Sequence, residues 1–189
     1  AGGAPLAAAD WRRPPVWRTV LRGMLPPPRQ RAAGAAGETL QRLADADDAW
    51  LEQQADRLLH GVMLGLDLGA APFIAAALQV LWTDLVLRTQ AVHATLKASA
   101  FGRIDDRSVC PACASRPTAS VIRIDAQHSG QRYLHCSLCN LQWHRVRIQC
   151  THCGKEEHIH YESLQPQAGH TTLVTGAIDG AVRAECCDD

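Results

Sequence analysis

The sequence predicts an α+β protein made of an all-α amino-terminal domain and a smaller β-rich domain that carries the cysteines. Apolar residues recur at helical spacing through roughly the first hundred residues, and short β-prone runs broken by turns follow them. All eight cysteines lie at or after Cys110, and six of them form three CxxC pairs. Paired CxxC motifs are typical of metal or redox sites, so the second domain is predicted to bind metal.

Helical spacing defines the elements of the first part. Residues 17–24 place apolar side chains three and four positions apart between two proline-rich segments, which predicts a short amphipathic helix. Residues 38–66 keep the same spacing and predict either one long helix or two successive helices. Ala71 and Pro72 open a third helix, predicted to continue to Leu96, because proline suits the first helical turn.

Short β-prone runs define the second part. Strands are predicted over residues 120–124, 132–135, 141–148, 158–161 and 171–175. In the third run the apolar residues change phase after Trp143, which a bulge near Arg145 would explain. Residues 102–108 form the predicted linker, so the predicted domains are residues 1–104 and 105–189.

Composition and charge restrict the partners. Of the 189 residues, 47% are hydrophobic and 20% are charged, which is the composition of a folded protein. Lysines and arginines balance the acidic residues at nineteen each, so no net field attracts nucleic acid or a membrane surface. The longest uncharged run, residues 68–83, is shorter than the roughly 20 apolar residues of a membrane span. We predict neither nucleic-acid binding nor membrane insertion, and the sequence neither requires nor excludes a homodimer.

The cysteines also indicate the compartment. Disulfide frameworks are usually found in smaller secreted domains, whereas paired CxxC motifs in a chain of this size indicate a reducing compartment. The predicted location is therefore the cytoplasm. The chain does not begin with methionine and stops soon after Cys187, and we expect it to be trimmed at both ends from a longer protein.

The CxxC spacing suits a metal ion held by sulfur. The pairs are Cys110 with Cys113, Cys136 with Cys139, and Cys150 with Cys153. Two intervening residues allow one tight turn to aim both sulfurs at the same ion, and Pro111 and Gly154 have the backbone preferences of such turns. Four thiolates in a tetrahedron suit zinc or a single iron, and an iron–sulfur cluster is also compatible with thiolates. Spacing does not choose among these three. Because four thiolates leave no open coordination position, we predict no catalytic residue and no enzymatic activity.

Loop length predicts which pairs share an ion. Between Cys113 and Cys136 lie 22 residues, enough for a β-hairpin that brings the first two pairs together. The hairpin is predicted to turn at Ser129 and Gly130, as in a rubredoxin-like or zinc-ribbon-like site. The first predicted site is Cys110, Cys113, Cys136 and Cys139. The rival arrangement, in which the first and third pairs share an ion, stays open because connectivity cannot be read from spacing.

The third pair must find its partners downstream. Cys186 and Cys187 are neighbours on a predicted strand, so their side chains point to opposite faces and only one reaches the ion. Cys187 is favoured. The second predicted site is Cys150, Cys153 and Cys187, and we expect its last cysteine to lie beyond the present sequence. Water or an imidazole would then take the fourth position, the candidates being His144, His152, His158 and His160.

Two other classes of protein fit parts of the pattern. A zinc-ribbon nucleic-acid module would use the basic residues around the pairs, although few aromatic residues are interleaved with them for base stacking. These basic residues are Arg123, Arg132, Arg145, Arg147 and Lys155. A thiol oxidoreductase would need its cysteines in a βαβ context, which the hairpin pattern does not provide. Reversible redox chemistry of bound iron or of the thiolates is a weaker alternative.

Several motifs around the cysteines are specific enough to indicate a family. They are Cys110-Pro111-x-Cys113, Arg132-Tyr133-Leu134-His135-Cys136-Ser137-Leu138-Cys139, Trp143-His144 with Arg147, and Cys150-x-x-Cys153. The pattern extends upstream to Ala75-Ala76-Ala77-Leu78-Gln79-Val80 with Trp82, and downstream to Ala184-Glu185-x-Cys187-Asp188. Over residues 70–188 the chain thus resembles the formate dehydrogenase accessory protein family, FdhE.

The resemblance implies a cytoplasmic protein that binds the catalytic subunit of respiratory formate dehydrogenases. Such a protein is needed for the activity of these enzymes or for their maturation before export. The resemblance also implies an all-α amino-terminal domain, a rubredoxin-like carboxy-terminal domain, and iron as the bound metal, with zinc as the alternative. The expected role is therefore that of an accessory factor and not of an enzyme.

Overall fold

The computed structural model describes residues 3–25, 32–102, 104–124, 130–163 and 183–188. Within these residues four α-helices are followed by five short β-strands, and the predicted α+β class is confirmed. The helices are α1 (Val16–Met24), α2 (Gly34–Asp45), α3 (Asp48–Leu59) and α4 (Ala71–Thr95). The strands are β1 (Pro117–Ile122), β2 (Arg132–Cys136), β3 (Gln142–Arg145), β4 (Ile159–Ser163) and β5 (Arg183–Cys187).

The helices lie close to where the apolar spacing predicted them. The run over residues 38–66 forms two helices, α2 and α3, separated by a break at Asp47. The Asp47 carboxylate accepts a hydrogen bond from the backbone N–H of Trp50 at 2.7 Å and so caps α3. Helix α3 ends at Leu59, so the last part of the predicted run is wrong. Gly61 has a φ of +68°, a left-handed conformation that ends the helix.

Helix α4 is the centre of the hydrophobic core. Its buried residues are Ile74, Ala77, Leu78, Leu81, Trp82 and Val86. Trp17 and Leu21 of α1 and Leu51 of α3 are fully buried in the same core. Among the described helices α4 is the one that is long and apolar enough to cross a membrane, a test that the core helix of a water-soluble protein also passes.

Ion pairs fasten the amino-terminal segment and α1 to α3. The Glu52 carboxylate accepts hydrogen bonds from the guanidinium of Arg13 at 2.9 Å and from the indole of Trp17 at 2.9 Å. It also pairs with Arg18. Because Trp17 is fully buried, this shared acceptor satisfies a donor that the core would otherwise leave without a partner.

The first sheet has the strand order β1-β2-β3 and is antiparallel throughout. An irregularity lies between Pro117 and Ala119 in β1. Strand β3 ends at Arg145, so the prediction of a strand that continues through a bulge to residue 148 is wrong. Val146 and Ile148 are exposed, because the chain leaves the sheet there, and this accounts for the change in apolar phase.

The remaining strands form a separate antiparallel ribbon. In this second sheet β4 pairs with β5, and Ile159 lies opposite Cys187.

In the first sheet the backbone N–H of Gly130 donates to the carbonyl of Arg123 at 2.9 Å, closing the hairpin where a turn was predicted. Ser129 and the predicted strand over residues 171–175 lie outside the described residues.

The amino-terminal segment connects the helices to the first CxxC turn. The backbone N–H groups of Leu6 and Ala8 donate to the carbonyls of Ala112 and Cys113 at 2.8 and 2.9 Å. The Trp82 indole donates to the carbonyl of Leu6 at 3.1 Å. The cysteines of the first two CxxC pairs belong to the same hydrophobic cluster as the helices. Packing is thus continuous across the predicted domain boundary, which itself stays a prediction.

Candidate metal centres

All three CxxC pairs lie in the same kind of turn. The backbone N–H of the first cysteine donates to the carbonyl five residues later, from Cys110 to Ser115 at 2.9 Å, from Cys136 to Leu141 at 3.0 Å and from Cys150 to Lys155 at 2.8 Å. The residue just after each pair has a positive φ, +60° at Ala114, +58° at Asn140 and +76° at Gly154. Non-glycine residues rarely adopt this conformation. The turn therefore depends on its backbone hydrogen bonds and does not require glycine.

The first two turns face each other and bring four sulfurs together. The Sγ atoms of Cys110, Cys113, Cys136 and Cys139, here called the first cluster, all lie within 4.8 Å of one another. The shortest separation is 3.4 Å, between Cys113 and Cys136, and Cys139 lies 3.6 Å from both Cys110 and Cys113. An ion bound at about 2.3 Å to four tetrahedral sulfurs needs sulfur separations of about 3.8 Å. The first cluster thus has the size of a site for one ion.

The first cluster is closed to solvent. Its four cysteines are at most 2% exposed. The backbone N–H groups of Leu138 and Cys139 donate to the Sγ of Cys136 at 3.3 and 3.4 Å, a contact that stabilises a thiolate. Hydrogen bonds with neighbouring thiols, first with Cys110, lower the pKa of Cys113 and raise the pKa of Cys139. Four thiolates this close together repel one another, and a cation bound among them would offset that repulsion.

Helix α4 holds the second turn directly. The side-chain amide of Gln79 donates to the carbonyl of Ser137 at 2.8 Å. The side-chain amide of Asn140 donates to the hydroxyl of Thr83 at 3.2 Å. Because Gln79 and Thr83 are one helical turn apart, a single face of α4 fixes the turn at two points.

Cys150, Cys153 and Cys187 form a second, more open group of sulfurs, here called the second cluster. Their Sγ atoms lie within 4.8 Å of one another, and those of Cys153 and Cys187 are 3.6 Å apart. Cys150 is buried, Cys187 is half-buried and Cys153 is exposed. Burial acts to raise the pKa of the Cys150 thiol, but hydrogen bonds from the N–H groups of Cys153 and His152 outweigh it and lower that pKa.

The structure resolves two alternatives about which residues come together. The rival arrangement of the first and third pairs is wrong, because the third pair groups with Cys187. Cys186 is excluded from the group, and its Sγ lies 4.0 Å from the carbonyl of Ala184. Within the described part of the chain, none of the four candidate histidines, His144, His152, His158 and His160, joins the second cluster. Groups of this kind can hold a metal ion, and that these seven cysteines bind one stays a prediction.

Two buried arginines lie beside the second cluster. Arg132 on β2 and Arg145 on β3 are directly opposite each other in the ladder and are 2% and 6% exposed. Arg132 forms an ion pair with Glu185 on β5. Arg145 donates to the carbonyl of Cys150 at 3.3 Å, while its Nε has no hydrogen-bond partner among the described residues. Burial, followed by the charges of Arg132 and Arg107, lowers the pKa of Arg145.

Burial also changes the interpretation of the basic residues. Two of the five residues assigned to a nucleic-acid-binding face, Arg132 and Arg145, are inaccessible. Sequence reasoning missed their role because arginine is mostly exposed in proteins. A signal was present in β2, where Arg132 shares its buried face with Leu134 and Cys136 by strand alternation.

A helical part followed by small antiparallel sheets with facing CxxC turns defines a protein with a zinc-ribbon-like carboxy-terminal region whose cysteine clusters can hold metal. Two family models match the chain, one described as FdhE, N-terminal, over residues 1–97 and one described as FdhE, central domain, over residues 109–147. The chain therefore belongs to the FdhE family.

Named relatives agree with this assignment. The chain is 36% identical over 185 residues to a protein FdhE homolog of Pasteurella multocida, covering 98% of this chain and 54% of that protein. It is 31% identical over 188 residues to protein FdhE of Salmonella enteritidis, covering 100% of this chain and 55% of that protein. The crystal structure of the FdhE protein from Pseudomonas aeruginosa matches with a TM-score of 0.64 and 36% identity, over 91% of this chain and 53% of that one. The chain thus spans about half the length of the relatives that it matches.

Proposed function

We propose that this chain is part of an accessory factor of formate dehydrogenase that binds the catalytic subunit and is needed for its activity or maturation. Membership of the FdhE family supports the choice of enzyme. The observation that supports partner binding is the first cluster, whose four sulfurs are buried and close enough to surround one ion. An ion saturated by four thiolates has no open position for a substrate, which favours binding over catalysis.

In this proposal the first cluster holds a single iron ion, with zinc as the alternative. Cys110, Cys113, Cys136 and Cys139 would be its ligands. Iron would supply a centre that changes its charge by one electron with all four ligands in place. The N–H groups of Leu138 and Cys139 that point at the Cys136 sulfur stabilise negative charge on that ligand, and such hydrogen bonds are one of the means by which proteins set a reduction potential.

The second cluster would hold another ion through Cys150, Cys153 and Cys187, and its fourth ligand would come from outside these three residues. Its exposed position differs from that of the first cluster, because Cys153 is open to solvent. The buried first cluster is therefore the one that we propose orders the fold.

Metal and fold are linked through the shared core. The cysteines of the first cluster pack with the same hydrophobic residues that α1 and α4 bury. Metal binding energy is folding energy where a preformed site does not exist in the unfolded chain. Loading of the first cluster would thus order both the CxxC turns and the helical surface beside them, and this ordered surface is what the catalytic subunit would recognise.

Elemental analysis of anaerobically purified protein, combined with an optical spectrum before and after mild oxidation, tests the metal. Ferric iron bound to thiolates absorbs visible light, whereas zinc is silent. We expect iron and a visible band that appears on oxidation. A colourless protein with stoichiometric zinc would contradict iron, and a protein that retains no metal in either state would contradict the metal sites.

Capture of a formate dehydrogenase catalytic subunit on tagged protein tests the partner. We expect the wild type to retain the subunit, and Cys136→Ser and Cys139→Ser to lose it. Cys186→Ser is the matched control, because this cysteine lies outside both clusters. Equal capture by all variants would contradict metal-dependent binding, and no capture by the wild type would contradict the partner. The proposed location is the cytoplasm, where thiols stay reduced.

A further inference from the structure

Arg132 is the contact point between the two sheets. Its Nε donates to the Ser120 hydroxyl at 3.0 Å on β1. Its Nη1 donates to the carbonyls of Arg147 and Gln149 at 3.2 and 2.9 Å, and its Nη2 is paired with the Glu185 carboxylate. The side chain is 2% exposed, so its charge is satisfied inside the protein by these groups.

Three of these partners, Arg147, Gln149 and Glu185, lie next to segments that supply sulfurs to the second cluster. Arg147 and Gln149 belong to the stretch that leads directly into Cys150. Glu185 lies on β5, two residues before Cys187. One guanidinium therefore holds both segments that the second cluster joins, although it contacts none of its sulfurs.

Glu185 completes the connection from its own side. Its second carboxylate oxygen accepts hydrogen bonds from the backbone N–H of Thr151 at 3.3 Å and from the Thr151 hydroxyl at 3.4 Å. Thr151 lies inside the third CxxC turn, between Cys150 and Cys153. The carboxylate thus joins the turn that carries two sulfurs to the strand that carries the third.

We propose that Arg132 and Glu185 are positioning residues for the second cluster, which set its affinity for metal without touching the metal. The inference rests on the proposed binding of metal by Cys150, Cys153 and Cys187. It adds that the second site is assembled on β2, whose last residue, Cys136, is a ligand of the first site. One strand therefore carries both a proposed ligand of the first site and the arginine that supports the second.

The chemistry of the pair explains why these two residue types are needed. A planar guanidinium can reach two carbonyls, a hydroxyl and a carboxylate at the same time, and a lysine ammonium lacks this fork geometry. A glutamine at position 185 keeps the shape but removes the charge that balances Arg132. Residues that orient metal ligands without touching the metal typically change affinity by about 10–100-fold when they are replaced.

Alkylation of the zinc-loaded full chain by iodoacetamide, mapped by mass spectrometry, tests the assignment one cysteine at a time. We expect Arg132→Met to raise the alkylation rates of Cys150, Cys153 and Cys187 by about 10–100-fold, with the cysteines of the first cluster still protected. Glu185→Gln should change the same three rates in the same direction. The double variant should react little faster than either single variant, because the two residues act as one unit.

Three comparisons make the result decisive. Arg132→Lys should restore only part of the protection, and Arg88→Met, which removes an exposed ion pair on α4, should leave every rate unchanged. Cys186 should react equally in all variants. Full protection of the second cluster in Arg132→Met would overturn the positioning role alone, and simultaneous exposure of both clusters would show that Arg132 supports the whole fold instead. Unprotected Cys150 and Cys153 in the wild type would overturn the second metal site together with this inference.

Discussion

The indole N–H of Trp82 donates a hydrogen bond to the backbone carbonyl of Leu6, 3.1 Å away and 76 residues earlier in the chain. Leu6 also donates its own N–H to the carbonyl of Ala112, inside the first CxxC turn. One residue near the amino terminus is therefore held between the central helix and a candidate metal ligand loop. This contact joins the helical core to the first cluster without using a sulfur.

Replacing Trp82 with phenylalanine should destabilise the protein by about 3 kcal/mol. The change leaves a buried carbonyl without its donor, which costs about 1–3 kcal/mol, and it also creates a cavity in a fully packed core. Urea unfolding followed by circular dichroism gives the difference. Trp11→Phe is the control, because Trp11 is exposed and should change stability by less than about 0.5 kcal/mol. Equal unfolding midpoints for both variants would show that the Leu6 contact contributes nothing.

Removing metal from the first cluster should unfold the helices as well as the CxxC turns. The four cysteines pack in the same core as α1 and α4, and structural metal sites contribute about 10 kcal/mol or more to folding in small domains. We expect a strong chelator, or Cys136→Ser, to lower the midpoint of thermal unfolding measured by the helical signal, whereas Cys186→Ser should not. A helical transition unaffected by chelation would show that the two parts fold independently.

Glycine should give a more stable protein than alanine at the position just after a CxxC pair. Gly154→Ala and Ala114→Gly should therefore change the free energy of unfolding in opposite directions. Gly154→Ala forces a side chain into a left-handed conformation and should destabilise the protein by about 1 kcal/mol. Ala114→Gly relieves that conformation at the matching place in the first turn and should stabilise it by about 0.5 kcal/mol, since glycine also loses more backbone entropy on folding. Urea unfolding of both variants checks the signs. A destabilised Ala114→Gly would mean that the hydrogen-bonded turn imposes no strain on alanine.

Asp48 should contribute stability that disappears in acid. Its hydrogen bond from Arg22, at 2.7 Å, holds the pKa of this carboxyl below its usual value. Because the pKa is lower in the folded chain, the contribution is present above the unfolded pKa of about 4 and is lost as the pH falls through the folded value. Asp48→Asn should therefore lower the urea midpoint at pH 7 and converge with the wild type below about pH 3.

A control separates this effect from acid release of metal. Metal loss lowers the stability of wild type and variant alike, so the difference between them reports Asp48. A constant difference for Asp48→Asn between pH 7 and pH 3 would contradict the proposed linkage.

Local patterns made part of the site predictable. Alternation on a strand favoured Cys187 over Cys186, and the structure places Cys187 with Cys150 and Cys153. The length of the loop between the first two pairs indicated a hairpin, and β1 and β2 form one. Both inferences use neighbouring residues and simple geometry, which a single sequence contains.

Long-range contacts accounted for what the sequence did not reveal. Arg132 is buried against Glu185, 53 residues later in the chain. The sequence around either residue does not predict that the two form an ion pair. The positive φ of Ala114 arises from hydrogen bonds that close its turn, and alanine by itself predicts the opposite. Strand β3 ends at Arg145, and periodicity could not separate this end from a bulge.

The hydrogen bonds between α4 and the second CxxC turn, made by Gln79 and Thr83, limit which segments can be exchanged between this protein and its homologues. A cysteine loop transplanted from a distant homologue would lose the helix face that hydrogen-bonds to it. The helix of the recipient would carry side chains placed for a different loop. A chimeric protein should therefore exchange α4 and the loop together.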